Sequence, residues 1–248
     1  MKLSKDIILK LNLISKSDAD FRLAEFKRYK TFEPDSAHYP FESMKAIWPE
    51  GEYFDYKNIE GFCGDFLDGF YIMFRGTDSL WGWITNFMFS KKVIPYEGTN
   101  PKIKVHNGFL KDYLVIRDFV HKKIKETDKE KIYVHGHSKG AALTVLCALD
   151  IQYNFPEKEI GSFGIGIPKV GNEEFVRSFN GRLPDFINIE NGSDLIPQIP
   201  PRFFGYRHVE NKIHIGKERR CCIGTHKDHN WQKYYDNMEK DLVDRPYP

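Results

Sequence analysis

The chain has 248 residues, 41% hydrophobic and 15% aromatic, enough for a sizeable core and far from a disordered composition. Its 37 basic and 35 acidic residues are interspersed and leave a formal net charge of +2. That balance gives no electrostatic footprint for nucleic acid and fits a neutral or phosphate-poor substrate.

No internal repeat or low-complexity linker divides the sequence, so residues 1–248 are read as a single domain. The opening "MKLSKDIILKLNLISKSDADF" has Lys10 inside its apolar run and no small-residue cleavage site, unlike a secretory signal. The first 30 or so residues read as helical, with Leu23, Phe26 and Tyr29 at helical spacing, covering a sheet edge. "EYFDYKNIEGFCGDFLDGFYIMFRGT" reads as strands and turns, and the run around Tyr71 and Met73 as a buried strand.

Phe109, Tyr113, Ile116, Val120 and Ile124 recur at steps of three and four and mark the core face of a helix. Lys122, Lys123, Lys125 and Glu126 are read as its solvated face. "KIYVHGHS" is a short strand with Ile132 and Val134 on one side, and "KGAALTVLCALDIQY" a helix that starts small and turns apolar. "IGSFGIGIP" and "DFINIENGSD" are further strands. "NWQKYYDNMEKDLV" places Trp231, Tyr234 or Tyr235, Met238 and Leu242 on one helical face. Strands alternating with helices predict a mostly parallel sheet covered on both faces.

Gly136-His137-Ser138-Lys139-Gly140 sits between a strand and a helix, the context of a nucleophile elbow. A serine there is presented from a strained turn, and small neighbours let strand and helix approach. Gly136, Gly140, Ala141 and Ala142 meet that need. The plain alternative is a glycine-rich turn with a helix-capping serine. Downstream, Asp194 follows a strand in "NIENGSDLIPQIPP", either as the orienting acid of a triad or as an ordinary turn aspartate. "THKDHNWQKYY" then offers His226 and His229 as bases.

These segments resemble the class 3 lipase family, whose best-known members are fungal triacylglycerol lipases. "FRGTDSLWGWITNF" resembles the family's oxyanion strand end and lid helix, and "KVHNGFLKDY" its His-x-Gly-Phe segment. "VHGHSKGAAL" is similar to its elbow, and "GIPKVGNEEF", "NGSDLIPQIPP" and "GYRHV" to its acid strand and loop. The match runs over roughly residues 60–235. It implies an α/β-hydrolase fold with a short lid helix, and a lipase or esterase activity. Ser138 would be the nucleophile, Asp194 the acid and His229 the base, preferred over His226 for the aromatic residues that follow it. The backbone N–H groups of Thr77 and Lys139 would form the oxyanion hole, each worth about 10²–10³ in rate. Neither a metal nor an organic cofactor is implied.

Three features depart from the fungal pattern. Lys139 stands where leucine is usual, leaving its ammonium either to pair with a carboxylate or to meet substrate. Asn86 stands near a common acidic position, and no disulfide framework is evident. The cysteines are Cys63, Cys147, Cys221 and Cys222, the last two adjacent, which is poor geometry for a mutual disulfide. A reducing, cytoplasmic setting follows, with secretion the alternative if a signal was removed. No run of some 18 or more apolar residues exists to span a membrane.

A lid at about 79–90 would carry Leu80, Trp81, Trp83, Ile84 and Phe87, apolar on more than one face. It would cover the site or touch a lipid interface; a plain buried helix has the same pattern. Lys91 and Lys92, which follow it, would suit anionic head groups or are simply surface. Cys221, Cys222, His226 and His229 match no usual zinc spacing. His106 and His208 are read as structural hydrogen-bonders and Cys147 as core. The functional expectation is a serine hydrolase of lipid or small esters, with a phospholipase acting on polar lipids and a non-catalytic hydrolase-like binding protein as alternatives.

Overall fold

The computed structural model describes residues 48, 51–57, 59–66, 68–76, 89–96, 100–217, 224–238 and 240–241. The expected N-terminal helix, Thr77, Asn86, the lid residues Leu80, Trp81, Trp83, Ile84 and Phe87, Cys221, Cys222 and Leu242 lie outside the described residues.

Three strands, β1 (Glu52–Tyr56), β2 (Ile59–Phe66) and β3 (Gly69–Phe74), follow one another at tight turns and pair antiparallel. Short connections allow only that direction. Strand β3 is buried along its whole length, as its continuous apolar run requires. A small hairpin-like pair follows, β4 (Lys91–Val93) with β5 (Lys104–His106), antiparallel and separate from the main sheet. Helix crossovers then change the direction. β6 (Lys131–His137), β7 (Glu159–Ile165), β8 (Ile187–Asn191) and β9 (Lys212–Ile215) all run parallel to β3. The seven-stranded sheet has the order β1-β2-β3-β6-β7-β8-β9, so the mostly parallel α/β-hydrolase sheet is present.

Helix α1 (Asn107–Glu126) buries Phe109, Tyr113, Ile116, Val120 and Ile124, the spacing read from the sequence. His106 caps it by accepting from the Phe109 N–H at 3.3 Å. Lys122 and Glu126 are exposed as expected, but Lys123 is not simply solvated: it pairs with Glu52 on β1 and lies over the Phe119 ring. Helix α2 (Lys139–Asn154) is buried from Gly140 to Ile151, mostly apolar but with Thr144 and Asp150 inside that span. Helix α3 (Glu173–Arg182) is capped by Asn172 and carries Glu173 and Glu174 in its first turn. Helices α1, α2 and α3 share one core with Ile72, Phe74, Ile132 and Val134 on one sheet face.

Helix α4 (Trp231–Met238) covers the opposite face, where Tyr234 and Met238 meet Phe163, Ile165, Ile189 and Ile215. Tyr234, rather than Tyr235, is the buried tyrosine of that helix. Each such fully buried side chain contributes about 1.5–3 kcal/mol. Cys63 and Cys147 are free, buried thiols, and burial pushes the Cys147 thiol well above its ordinary pKa.

Candidate active site

Strand β6 ends at His137 and helix α2 begins at Lys139, leaving Ser138 alone between them at φ 59 and ψ −124. Positive φ in a residue with a Cβ is strained, at about 1–3 kcal/mol. Ser138 makes no side-chain capping bond to the helix, which removes the capping-serine alternative. Its backbone is fixed instead: the Ser138 N–H donates to Ile165 O at 2.9 Å, and Ala142 N–H donates to Ser138 O at 3.2 Å. The hydroxyl is buried and has no hydrogen-bond partner among the described residues.

The flanking glycines allow this turn. A Cβ on Gly136 would meet the Gly140 carbonyl carbon and oxygen at 2.5 Å, and one on Gly140 would collide with the carbonyl oxygens of Phe74 and Arg75. Helix α2 therefore starts directly against the end of β3. Its first backbone N–H groups, Lys139 among them, lie at a helix N-terminus that favours negative charge.

Asp194 follows β8, where its Oδ1 accepts the Ile196 N–H at 2.9 Å. Its Oδ2 lies 2.7 Å from His229 Nδ1. A carboxylate only accepts, so Nδ1 carries the proton and Nε2 is the basic nitrogen. That Nε2 is buried and unpartnered, like the Ser138 hydroxyl. His226 is exposed, at the opposite end of the same short 3-10 turn (His226–His229). The geometry thus brings Asp194 to His229 and leaves His226 outside.

Two strand-end loops are stitched together to hold this pair. Thr225 N–H donates to Ser193 O at 2.7 Å, Ser193 N–H to Asp228 Oδ2 at 3.1 Å, and Asn191 Nδ2 to Asp228 O at 2.9 Å. The serine strand reaches the same place through its own histidine. The His137 ring stacks on His229 with centroids 4.5 Å apart, and His137 Nε2 donates to His229 O at 3.1 Å.

Tyr234 and Gly166 belong to the site although the sequence reading gave them no role there. The Tyr234 hydroxyl donates to Asp194 Oδ2 at 2.6 Å, the same oxygen that faces His229. Burial, then the Asp194 charge, pushes the Tyr234 pKa well above its ordinary value, so it stays a donor. The only hint in the sequence is a tyrosine one helical turn beyond the histidine loop. Gly166, at φ +59, stands where a Cβ would lie 2.9 Å from His229 Cε1 and 3.1 Å from Asp194 Oδ2.

The Lys139 ammonium turns away to Asp112 on α1, 2.7 Å from its Oδ2. His106 caps α1, and His208 lies 2.7 Å from Ile167 O, so both are structural bonders as read. Among the described residues no group of three or more His, Cys, Asp or Glu is placed to hold a metal.

The sequence profile of the family described as Lipase (class 3) matches residues 71–204. A "Secreted mono- and diacylglycerol lipase MDL2" of Malassezia globosa is 36% identical over 117 residues, covering 45% of this chain and 38% of that protein. "Secreted mono- and diacylglycerol lipase LIP4" of Malassezia restricta is 28% identical over 204 residues, covering 79% of this chain and 65% of that protein. The chain therefore spans less than two thirds of the length of either relative. The solved structure of lipase II from Rhizopus niveus superposes with a TM-score of 0.68 at 21% identity, covering 92% of this chain and 94% of that one. At that identity the likeness speaks to the fold, which is the one described above. The profile match takes in most of β3, the serine elbow and the Asp194 loop, more than half of the sequence, and the chain belongs to the class 3 lipase family.

Proposed function

We propose that the protein is a serine hydrolase that cleaves carboxylic esters of lipids through Ser138, His229 and Asp194. One observation carries this reading. A strained serine and a histidine whose Nδ1 is held by a buried carboxylate each keep a buried reactive atom, Ser138 Oγ and His229 Nε2, without a hydrogen-bond partner among the described residues. Ser138 N–H bonds Ile165 O, and the next residue, Gly166, lies against His229, so both groups flank one short segment.

In this mechanism the Ser138 oxygen attacks the ester carbonyl carbon while His229 Nε2 takes its proton. Asp194 holds the imidazole tautomer and offsets the positive charge. The oxyanion is received by the Lys139 N–H and, as the family resemblance implies, by the Thr77 N–H. Collapse expels the alcohol, which takes the proton back from His229, and leaves an acyl-enzyme. Water attacks that ester by the same proton path and frees the carboxylic acid.

Several further points stand with this reading. The acylglycerol substrate class is supported by the names of the Malassezia relatives. Both relatives are named as secreted, which favours export over the cytoplasmic setting read from the cysteines. No described helix is long and apolar enough to cross a membrane. All the strands from β1 to β3 and β6 to β9 join one sheet, which supports a single domain over residues 1–248. A lid at about 79–90 would close over the serine.

The test is the rate of ester hydrolysis. Ser138→Ala should lower kcat by about 10⁶, as for other serine hydrolases. Activity within about tenfold of wild type would remove Ser138 from its role. Emulsified acylglycerols should be cleaved faster than phospholipid vesicles; the reverse order would move the substrate to polar lipids.

A further inference from the structure

The loop that begins at Asp194 ends in a single 3-10 turn, Arg202–Phe204, that points two phenylalanines outward. Phe203 is 82% exposed and Phe204 43%, and among the described residues no other large apolar side chain is as exposed as Phe203. Isolated exposed apolar residues are common and need no explanation. This one is not isolated: Phe203 packs on Phe204 with ring centroids 4.4 Å apart, and Phe204 packs on Phe89 at 4.6 Å. Phe89 and Ser90 are the described residues at the end of the 79–90 segment read as the lid. The aromatic cluster thus joins the end of that segment, at Phe89, to the tip of the Asp194 loop.

The tip is rigid. Phe204 N–H donates to Pro201 O at 3.1 Å, and Arg202 O accepts from Gly205 N–H at 2.9 Å and from Arg207 Nη1 at 3.2 Å. The Lys91 ammonium donates to Phe204 O from beneath and lies 4.4 Å from the centroid of the Tyr206 ring. Rings already held in place lose little freedom on binding.

Cations surround the turn. Lys91 and Lys104 lie on the paired strands β4 and β5, and a bridge from Val105 through Gly171 to Arg207 sets Arg207 beside them, with Arg202 in the turn itself. Their crowding is felt: burial, then Lys104 and Arg207, lowers the Lys91 pKa from its ordinary value. Among the described residues the carboxylate paired with this group is Glu173, 3.8 Å from Arg207 and shared with Arg177.

We propose that Phe203 and Phe204, with their collar of Lys91, Lys104, Arg202 and Arg207, form an anchor that seats the protein on an anionic lipid surface. Projecting aromatic rings suit the boundary between head groups and acyl chains, and the basic collar complements negative head groups. The anchor rests on the lipid-ester reading for its purpose and stands on its own geometry for its existence. It sits on the loop that carries Asp194.

The experiment measures co-sedimentation of the full chain with phosphatidylcholine vesicles, with and without phosphatidylglycerol, beside hydrolysis of a soluble short-chain ester without vesicles. Phosphatidylglycerol should raise wild-type partition, and added salt should lower it again. Phe203→Ser should lower partition about tenfold, because a buried phenyl ring is lost from the membrane contact. Phe203→Trp should keep it. Both variants should hydrolyse the soluble ester at the wild-type rate. The anchor is overturned if Phe203→Ser partitions like wild type, if phosphatidylglycerol makes no difference, or if wild type does not bind vesicles. Phe203-dependent binding in a protein inactive on every ester would keep the anchor and remove the hydrolase. Ester hydrolysis with binding indifferent to Phe203 would do the opposite.

Discussion

Asp194 Oδ2 receives two short hydrogen bonds, from Tyr234 at 2.6 Å and from His229 at 2.7 Å. A buried carboxylate that loses a donor is left short of compensation. Tyr234→Phe should therefore lower the unfolding free energy by about 2 kcal/mol in urea titration; an unchanged midpoint would contradict a stabilising role for that bond. Gly166 faces the same pair, and its φ of +59 penalises any side chain. Gly166→Ala should lower kcat about 10²-fold by displacing His229, with KM less affected, and an unchanged kcat would show that the imidazole tolerates the methyl group. Lys139 has the opposite expectation. Its ion pair with Asp112 is partly solvated, with side-chain exposures of 18% and 36%, so it contributes under about 1 kcal/mol. Lys139→Leu should keep turnover of soluble esters within about threefold, since the backbone N–H is unchanged; a large substrate-selective loss would place the ammonium in the binding site. Of these residues the sequence singled out Ser138, Lys139, Asp194 and His229 through spacing and resemblance. Orientation was not legible: the sequence preferred His229 over His226 by resemblance alone, and the folded turn adds that His229 is buried and His226 exposed. Tyr234 was hidden because a tyrosine on an apolar helical face reads as packing, and its hydroxyl partner is 40 residues away.

Helices α1 and α2 are locked together by a carboxylate with no exposed surface. Asp150 accepts from Tyr113 at 2.7 Å and from Arg117 at 3.0 Å, and lies 2.6 Å from His121 Nε2. Burial alone would push the Asp150 carboxyl up; the bonds to His121, Arg117 and Tyr113 together outweigh it and hold the pKa below its ordinary value. The sign follows. The unfolded chain binds the proton at higher pH than the native one, so this stability is present above the ordinary carboxylate range. It is lost as pH falls through that range toward the native value. Asp150→Asn should destabilise the protein by about 3 kcal/mol at neutral pH, because Arg117 is left without its counter-charge. It should also flatten the acid limb of a stability–pH curve; an unchanged limb would assign acid sensitivity to other groups. The α1 face was legible because helical spacing is local. The latch was not, because its partners lie 29–37 residues apart and only packing brings them together.

At the scale of the molecule, the sheet order sets where chemistry happens. The parallel strands β6, β7 and β8 end side by side, so Ser138, Gly166 and Asp194 emerge at one edge, and the loop after β9 brings His229 there. Alternating strands and helices made the parallel core readable from sequence. The antiparallel β1–β3 start was read only as strands and turns, since pairing direction depends on connections whose geometry local pattern does not specify. The aromatic tip at Phe203 was passed over because exposure has no sequence signature in a proline-rich loop. The central claim, that Ser138 is a nucleophile activated by His229, is tested most directly by reaction with a fluorophosphonate followed by peptide mass spectrometry. One adduct is expected, on Ser138, absent from Ser138→Ala and strongly slowed in His229→Ala. A protein that stays unlabelled while folded, or that labels equally well without Ser138, would contradict it.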